Sequence, residues 1–555
     1  MRLPAVARYA LSFPALLHAT ILIGVTLRIV SAGLTAVGFD GGYYIVMGAS
    51  FAQRGEFLVP WGDPSAPGLA LSYSHHMSPL WPMVLGSAMA LLGYSVGLMK
   101  AVSLAVSLGV LLVAYWSSKD LYGKSCALAT TAVLAVFPEL ILDVGRVYSE
   151  NLTMIFFILT IWAILKSLNN RRYMLLGGLC AGLVFLSRAS AGYFFVAAGF
   201  AGLTWRYSYM GRAVFRDYSY LGAIGIFGSI VLAWSSRNLV RFGFPHWETD
   251  AYLTSYTSIA LSEPVRYVPL VLATMLLFCI MLLSIGIYFG REVLDSLASI
   301  RAEEESGLWL AIVLVPLIAA FVAAVFALFE VGGQAVFSID RIRYVMYAYF
   351  PLLLIGTRRL DLARPVRRKP ARESFDLRIS KLRLLAIATG CAGLGFSFGF
   401  GALWLAPLFL LGLPAVLVTR LSLRILLLLV ALLIVSAEVG TSSTVAAEQL
   451  AVEFILDRDP SAIVAFDGPP DLYYNLSVYV LGTRLRLTDI ANESIANFVI
   501  SSNLSATFAG MSSVGTFYDR ASQGILQSAL LALLGRSKIL YTSPLVIHER
   551  VSSVP

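Results

Sequence analysis

Two acidic residues beside long apolar segments are the first candidates for chemistry in this sequence. Asp40 lies between glycines in "GFDGGYY", and Glu150 follows "FPELILDVGRVYS", which we interpret as part of a loop. An ionisable side chain at a membrane boundary is costly and is commonly retained for function. A carboxylate placed beside a hydroxyl group can accept its proton. We therefore predict that Asp40 and Glu150 are catalytic residues, with Asp40 as the general base.

The residues around Asp40 allow a second interpretation. Its flanking glycines let the backbone approach closely and leave room for a substrate. Tyr43, Tyr44 and the residues after them suggest an amphipathic helix lying in the membrane interface. Aspartate is also a common N-cap, so Asp40 could begin that helix, a role that does not exclude catalysis. Glu150 could instead orient the acceptor or an arginine.

A histidine pair and two prolines follow in "SYSHHMSPLWPMVLG". Pro79 and Pro82 open an apolar segment that is short for a membrane span, and we interpret it as a second juxtamembrane helix. His75 and His76 are adjacent, so their side chains diverge and make a poor metal pair by themselves. A divalent metal cofactor stays open as an alternative, although the first loop has no DxD motif to support it. We predict no metal site.

Arginines near the ends of apolar segments indicate an anionic ligand. The guanidinium group stays charged and donates two parallel hydrogen bonds to a phosphate. Any one of these arginines could instead be an ordinary residue at a helix end whose charge reaches water. The predicted substrate-binding residues are Tyr43, Tyr44, His76, Arg146, Arg188, Arg237, Asn238, Arg341, Arg343 and Tyr344.

The composition places these residues in a membrane protein. Of the 555 residues, 58% are hydrophobic and 13% are charged, whereas soluble domains have about 25% charged residues. Apolar runs long enough to cross a bilayer predict about thirteen transmembrane helices. The net charge of +9 reflects basic loops rather than nucleic-acid binding. The four cysteines lie in apolar runs without metal-site spacing, and we interpret them as small buried residues.

The distribution of lysine and arginine predicts the orientation, because cytoplasmic loops carry the excess of these residues. One set of loops is rich in basic residues: Arg2, Arg8, Lys119, Lys124, Lys166, Arg171, Arg172, Arg206, Arg212, Arg216, Arg291, Arg301, those from Arg358 to Arg383, Arg420 and Arg424. We predict a multi-pass protein of the cytoplasmic membrane with its N-terminus inside. The first apolar run is then an uncleaved anchor.

The C-terminal part has a different composition, rich in Ser, Asp and Asn. We predict a transmembrane domain over 1–440, with a long outer loop at 38–95, and an extracytoplasmic α/β domain over 441–555. A helix at 444–457 precedes the strand-like segments "SAIVAFDG", "RLRLTD" and "NFVIS", and a terminal hairpin follows. Three N-x-S sequons, at Asn475, Asn492 and Asn503, fit an outside location.

The sequence resembles the GT-C superfamily of membrane glycosyltransferases, which includes protein O-mannosyltransferases and the aminoarabinose transferase. The matching features share one order: Asp40 in the first outer loop, "SPLWPMVLG", "GLCAGLVFLSRASAGYFF", "WSSRNLVRFGFP" and "RIRYVMYAYFPLLL". They cover about residues 15–360. The first loop has "FDGG" where the mannosyltransferases have an Asp-Glu pair, and the oligosaccharyltransferase signature "WWDYG" is absent. These departures argue against en bloc oligosaccharide transfer.

The resemblance implies a polyprenyl-phosphate-linked sugar as donor, membrane lipids as surroundings, and inversion at the anomeric carbon. The acceptor would be a hydroxyl or similar group on a protein, lipid or glycan. Two other classes stay open. A polysaccharide polymerase or ligase would also be polytopic with outer arginines, although it normally has one large central loop. A transporter would place ionisable groups near the bilayer midplane, whereas these spans are nearly free of charge in their middle parts, with Arg28 as the clearest exception.

Overall fold

The structure is a computed structural model of the chain. It describes part of the 555 residues, in separate segments. The described segments are 12–60, 71–73, 78–189, 217–242, 346–358, 406–417, 421–441, 443–445, 447–467, 476–481, 483–489, 496–502, 511–517, 520–522 and 545–550, with short stretches within 191–211 and at 287–289 and single residues at 360 and 391.

Among the described residues, helices dominate up to residue 441 and strands appear mainly after it. The helices are α1 Phe13–Leu34, α2 Phe39–Arg54, α3 Leu80–Leu92, α4 Val96–Tyr122, α5 Lys124–Ala135, α6 Pro138–Arg146, α7 Glu150–Lys166, α8 Arg172–Ser187, α9 Tyr218–Phe242, α10 Met346–Thr357, α11 Ala406–Leu417, α12 Leu421–Thr441 and α13 Ala447–Arg458. The strands are β1 Leu58–Pro60, β2 Leu71–Tyr73, β3 Ser443–Val445, β4 Ile463–Asp467, β5 Arg486–Asp489, β6 Phe498–Ser501, β7 Met511–Phe517, β8 Arg520–Ser522 and β9 Leu545–Arg550.

Three of these helices are long and apolar enough to cross a membrane. They are Phe13–Leu34, Val96–Tyr122 and the part of α9 from Tyr218 to Val240. Helices α5 and α6 together pass the same test but are bent by 53° at the break between them. Several predicted spans lie wholly or partly outside the described residues, so the count of thirteen stays a prediction.

The chain divides into two compact units. The first contains residues 1–26, 108–140 and 152–436, and the second contains 27–107, 141–151 and 437–555. The predicted boundary near residue 440 therefore matches the start of the last segment of the second unit. The same unit also contains residues 27–107 and 141–151.

In the first unit, small and hydroxyl-bearing residues let helices pack closely. A side chain at Gly178 of α8 would overlap the backbone of Ala223 in α9. Thr357 of α10 lies 3.0 Å from the Thr130 hydroxyl and 3.2 Å from the Cys126 sulfur, both in α5. Buried hydroxyls that bond to one another in this way avoid the cost of unsatisfied polar groups.

The cysteine interpretation is confirmed for two positions and wrong for one. Cys126 and Cys180 are buried, whereas Cys391 is exposed. Cys279 lies outside the described residues.

In the second unit, the C-terminal residues form a five-stranded mixed sheet with the order β5-β4-β6-β9-β7. Strands β5 and β6 run parallel to β4, and β9 runs antiparallel to β6 and β7. Ala451 and Ile455 of α13 pack on a sheet face with Val464, Ile500 and Ile547. The three predicted strands that became β4, β5 and β6 are confirmed.

The helix predicted before these strands is confirmed as α13, but its predicted start is wrong. The helix expected from residue 444 begins at Ala447, because residues 443–445 form strand β3, which pairs with β8. The second arm of the predicted terminal hairpin is strand β9, whereas its first arm, residues 538–543, lies outside the described residues. Strand β9 lies between β6 and β7, so both of its edges are already paired.

One contact joins the sheet region to the membrane-proximal residues of the same unit. The Tyr94 hydroxyl, in the loop before α4, donates a 2.6 Å hydrogen bond to the Val478 carbonyl. Burial raises the pKa of Tyr94. The hydroxyl therefore stays protonated and remains a donor at neutral pH.

The two predicted juxtamembrane helices are confirmed as helices α2 and α3. They cross with Gly48 against Gly86: a side chain at Gly48 would lie 3.0 Å from the Pro82 carbonyl oxygen and 3.1 Å from the Gly86 nitrogen. The amphipathic surface position predicted for α2 is wrong, because all ten residues from 41 to 50 are buried. Packing against α3 and against residues 146–149 leaves no exposed stripe over residues 41–50.

Candidate functional site

Asp40 lies in the first turn of α2 and does not cap it. The N-cap is Gly38, in an extended conformation, and Asp40 is the second helical residue. A carboxylate at this place is favoured by the partial positive charge of the helix N-terminus. The N-cap alternative is therefore wrong. Asp40 is half-buried, whereas the ten residues after it are buried. Asp40 therefore keeps some exposure next to ten enclosed residues of the same helix.

The glycines beside Asp40 accommodate protein backbone. The Gly38 N–H donates a 3.2 Å hydrogen bond to the Arg146 carbonyl. A side chain at Gly41 would overlap that same carbonyl oxygen, and one at Gly38 would lie 2.6 Å from the Tyr148 ring. The glycines thus let the start of α2 touch the turn between α6 and α7, which we call the 146–149 turn.

The 146–149 turn also leads directly to Glu150. Tyr44, one helical turn after Asp40, places its hydroxyl 3.2 Å from the Ser149 hydroxyl. Glu150 is the next residue, begins α7 and is 0% exposed. Asp40 and Glu150, the two predicted catalytic residues, therefore lie on segments that contact each other. The glycines beside Asp40 touch Arg146, and Tyr44, one helical turn later, touches Ser149.

Two predicted substrate-binding residues border this arrangement. Arg146 is half-buried, and its guanidinium carbon lies 5.8 Å from the centroid of the Tyr148 ring. Tyr43 is buried and packs with Met47 and Phe57 in a small apolar cluster. The surroundings of Tyr43 are those of a core residue, whereas Arg146 is only partly buried.

Three predicted substrate-binding residues belong to the other unit. The Arg237 guanidinium stacks 4.5 Å from the Trp234 ring and donates a 2.8 Å hydrogen bond to the Asn238 side-chain oxygen. Asn238 is fully buried near the C-terminal end of α9. Arg188 ends α8 in an extended conformation and is half-buried.

The remaining predicted residues, His76, Arg341, Arg343 and Tyr344, lie outside the described residues. A single cavity shared by these groups and Asp40 stays a prediction. Within the described segments, no three His, Cys, Asp or Glu side chains are grouped as a metal site would require.

Sequence reasoning missed two residues that shape the site. The Trp81 indole N–H donates a 2.9 Å hydrogen bond to the Val147 carbonyl. The Lys100 ammonium donates a 2.7 Å hydrogen bond to the Thr35 carbonyl, just after α1 ends. A buried indole normally finds a partner for its N–H, and a lysine inside an apolar run is expensive. Both signals were present in the sequence.

Arg28, noted above as the charged exception in the first span, is fully buried. Its Nε donates a 2.9 Å hydrogen bond to the Ser107 hydroxyl of α4. This contact lies within the second unit and links α1 to α4.

Comparison with known proteins gives similarity in structure alone. No family model and no curated protein sequence matches the chain. ArnT from Cupriavidus metallidurans, solved with undecaprenyl phosphate, has a TM-score of 0.52 at 13% identity, covering 97% of this chain and 98% of ArnT. An oligosaccharyltransferase from Archaeoglobus fulgidus, solved with Zn and sulfate, has a TM-score of 0.50 at 14% identity, covering 87% of this chain and 67% of the other.

These neighbours are GT-C glycosyltransferases, and the chain has the GT-C fold. The resemblance drawn from Asp40 and the later motifs is confirmed at the level of the fold.

Proposed function

We propose that this chain is a membrane glycosyltransferase that transfers a sugar from a polyprenyl-phosphate donor to a hydroxyl or similar acceptor on a protein, lipid or glycan. The observation that carries the proposal is the placement of Asp40. Asp40 is half-buried in the first turn of α2, and the glycines on either side of it contact the turn that leads to Glu150. The full-length similarity to ArnT, whose structure contains undecaprenyl phosphate, supports the same donor class.

In this mechanism Asp40 accepts the proton of the acceptor hydroxyl. The acceptor oxygen forms a bond to the anomeric carbon while the bond from that carbon to the donor phosphate oxygen breaks. The electron pair of the broken bond leaves with the polyprenyl phosphate. Attack from the side opposite the phosphate inverts the anomeric centre.

Arginine side chains balance the charge that grows on the leaving phosphate. Arg237 is suited to this task because Trp234 and Asn238 already fix its guanidinium, so little side-chain freedom remains to be lost. We assign Arg188, Arg341 and Arg343 to the same phosphate. Arg146 lies on the turn beside α2 and is assigned to the substrate near Asp40.

Glu150 has a different role from Asp40. It is fully buried at the start of α7, whereas Asp40 is accessible. A buried carboxylate can orient neighbouring hydrogen-bond donors. We therefore assign Glu150 to orient Arg146 or the acceptor relative to Asp40.

Binding of the lipid phosphate is the first test. Purified protein is expected to unfold at a higher temperature with undecaprenyl phosphate, because a ligand at 100 times its Kd stabilises by about 2.7 kcal/mol. Undecaprenol, which lacks the phosphate, and phosphatidic acid, which lacks the polyprenyl chain, serve as matched controls. Equal stabilisation by all three lipids would contradict a specific polyprenyl-phosphate site.

We place the protein in the cytoplasmic membrane with its N-terminus inside and residues 441–555 outside. In a background without the four native cysteines, cysteine at Ser442 or Ser512 is expected to react with a membrane-impermeant thiol reagent in intact cells. Cysteine at Ala371 is expected to react only after lysis, because positive loops stay in the cytoplasm. Labelling at Ala371 in intact cells would overturn this orientation.

A further inference from the structure

The 146–149 turn contains an unfavourable backbone conformation. Val147 has a φ of 61°, and it is the one non-glycine residue with positive φ among the described residues. A β-branched side chain strongly disfavours this region. Val147 is also fully buried, and Glu150 begins α7 only three residues later. Such strain persists only where the surroundings hold it, and it concentrates at functional sites.

Trp81 makes a contact that opposes relaxation of this strain. Its indole N–H donates to the Val147 carbonyl at 2.9 Å, and its side chain is 1% exposed. Rotation of Val147 to a favourable negative φ would reorient the turn and separate this carbonyl from the indole. The buried N–H would then lose its partner, which carries a desolvation cost.

The surrounding contacts connect Trp81 to the site. Trp81 belongs to α3, which packs on α2 through Gly48 and Gly86. The same α2 begins with Gly38, whose N–H binds the Arg146 carbonyl. The turn is thus bonded to α2 directly and to α3 through the indole.

We propose that Trp81 is a positioning residue: its indole N–H holds Val147 in the left-handed conformation and thereby fixes Arg146 and Glu150 relative to Asp40. This proposal rests on the proposed function. It assigns Trp81 no contact with the substrate.

The first test replaces the hydrogen-bond donor and keeps an aromatic ring. Trp81→Phe is expected to lower kcat by about 10- to 100-fold, because a displacement of about 1 Å in a catalytic group has an effect of this size. KM for the donor is expected to stay within about twofold of wild type, since the change alters positioning and leaves lipid binding intact. Unchanged kcat in Trp81→Phe would overturn the proposal.

The second test is rescue by a residue that accepts positive φ. In the Trp81→Phe background, Val147→Gly is expected to restore most of kcat, because glycine adopts this conformation without strain. Val147→Ala is the matched control: it also removes the buried isopropyl group but keeps the preference for negative φ. Equal kcat in the two double variants would show that Trp81 acts through packing alone and would overturn the proposal.

A stability measurement separates failure of this proposal from failure of the proposed function. With Trp81 intact, Val147→Gly is expected to unfold at a higher temperature than Val147→Ala, whether or not the protein transfers sugar. If Val147→Ala is at least as stable as Val147→Gly, residue 147 is not strained and the proposal is overturned. A second outcome is that the wild type transfers no sugar while Val147→Gly is still the more stable variant. That outcome would overturn both the proposed function and the positioning role of Trp81. The strain at Val147 would remain established.

Discussion

Asp40→Asn is expected to lower turnover by about 10²- to 10⁴-fold, the contribution of a positioned general base. Asparagine has nearly the same size but does not accept a proton from the acceptor hydroxyl near neutral pH. Folding should be almost unchanged, because the N-cap of the helix is Gly38 and the lost charge in the first turn costs about 0.3–1 kcal/mol. Binding of undecaprenyl phosphate should also be retained, since Asp40 acts on the acceptor.

The measurement is kcat together with the unfolding temperature and lipid affinity of the same preparations. Asp457→Asn is the matched control, because Asp457 is exposed on α13 and the substitution is chemically the same. Near-normal turnover of Asp40→Asn would show that the base lies elsewhere. Glu150 would then be the next candidate.

Gly41→Ala is expected to lower kcat by about 100-fold, the effect of displacing a catalytic group by about 1 Å. The added methyl group would overlap the Arg146 carbonyl oxygen, which belongs to the backbone and has no rotamer to change. The first turn of α2 must therefore shift, and Asp40, the preceding residue, shifts with it.

Gly33→Ala is the control for this substitution. Gly33 lies near the end of α1, and a methyl group there meets nothing within 4 Å. Alanine also has the higher helix propensity, so this variant is expected to retain kcat and stability. A Gly41→Ala protein with wild-type kcat would show that contact between α2 and the 146–149 turn does not set the position of Asp40.

Local features of the fold could be predicted from the sequence because their causes are local. Apolar alternation indicated β4, β5 and β6, and Pro79 with Pro82 indicated the start of α3. The order of the sheet could not be predicted in the same way. It depends on which distant segments pair, and β9 is inserted between β6 and β7.

The candidate site was predictable in its residue types and only partly in its geometry. The position of Asp40 between glycines marked it, yet those glycines were expected to face a substrate and instead face Arg146 and Tyr148. The burial of residues 41–50 follows from packing on α3 and on the 146–149 turn, and none of these segments reveals that packing in its own sequence. Trp81 and Val147 are separated by 66 positions. Their hydrogen bond becomes visible only in the folded chain.

Sugar transfer by the purified protein tests the central claim most directly. A panel of radiolabelled polyprenyl-phosphate sugars is incubated with wild type or Asp40→Asn, together with protein, lipid and glycan fractions as acceptors. We expect that wild type moves the label from at least one donor to an acceptor and releases polyprenyl phosphate in equal amount, and that Asp40→Asn does not. Label that stays on every donor while the protein binds undecaprenyl phosphate would contradict the claim, as would equal transfer by both proteins.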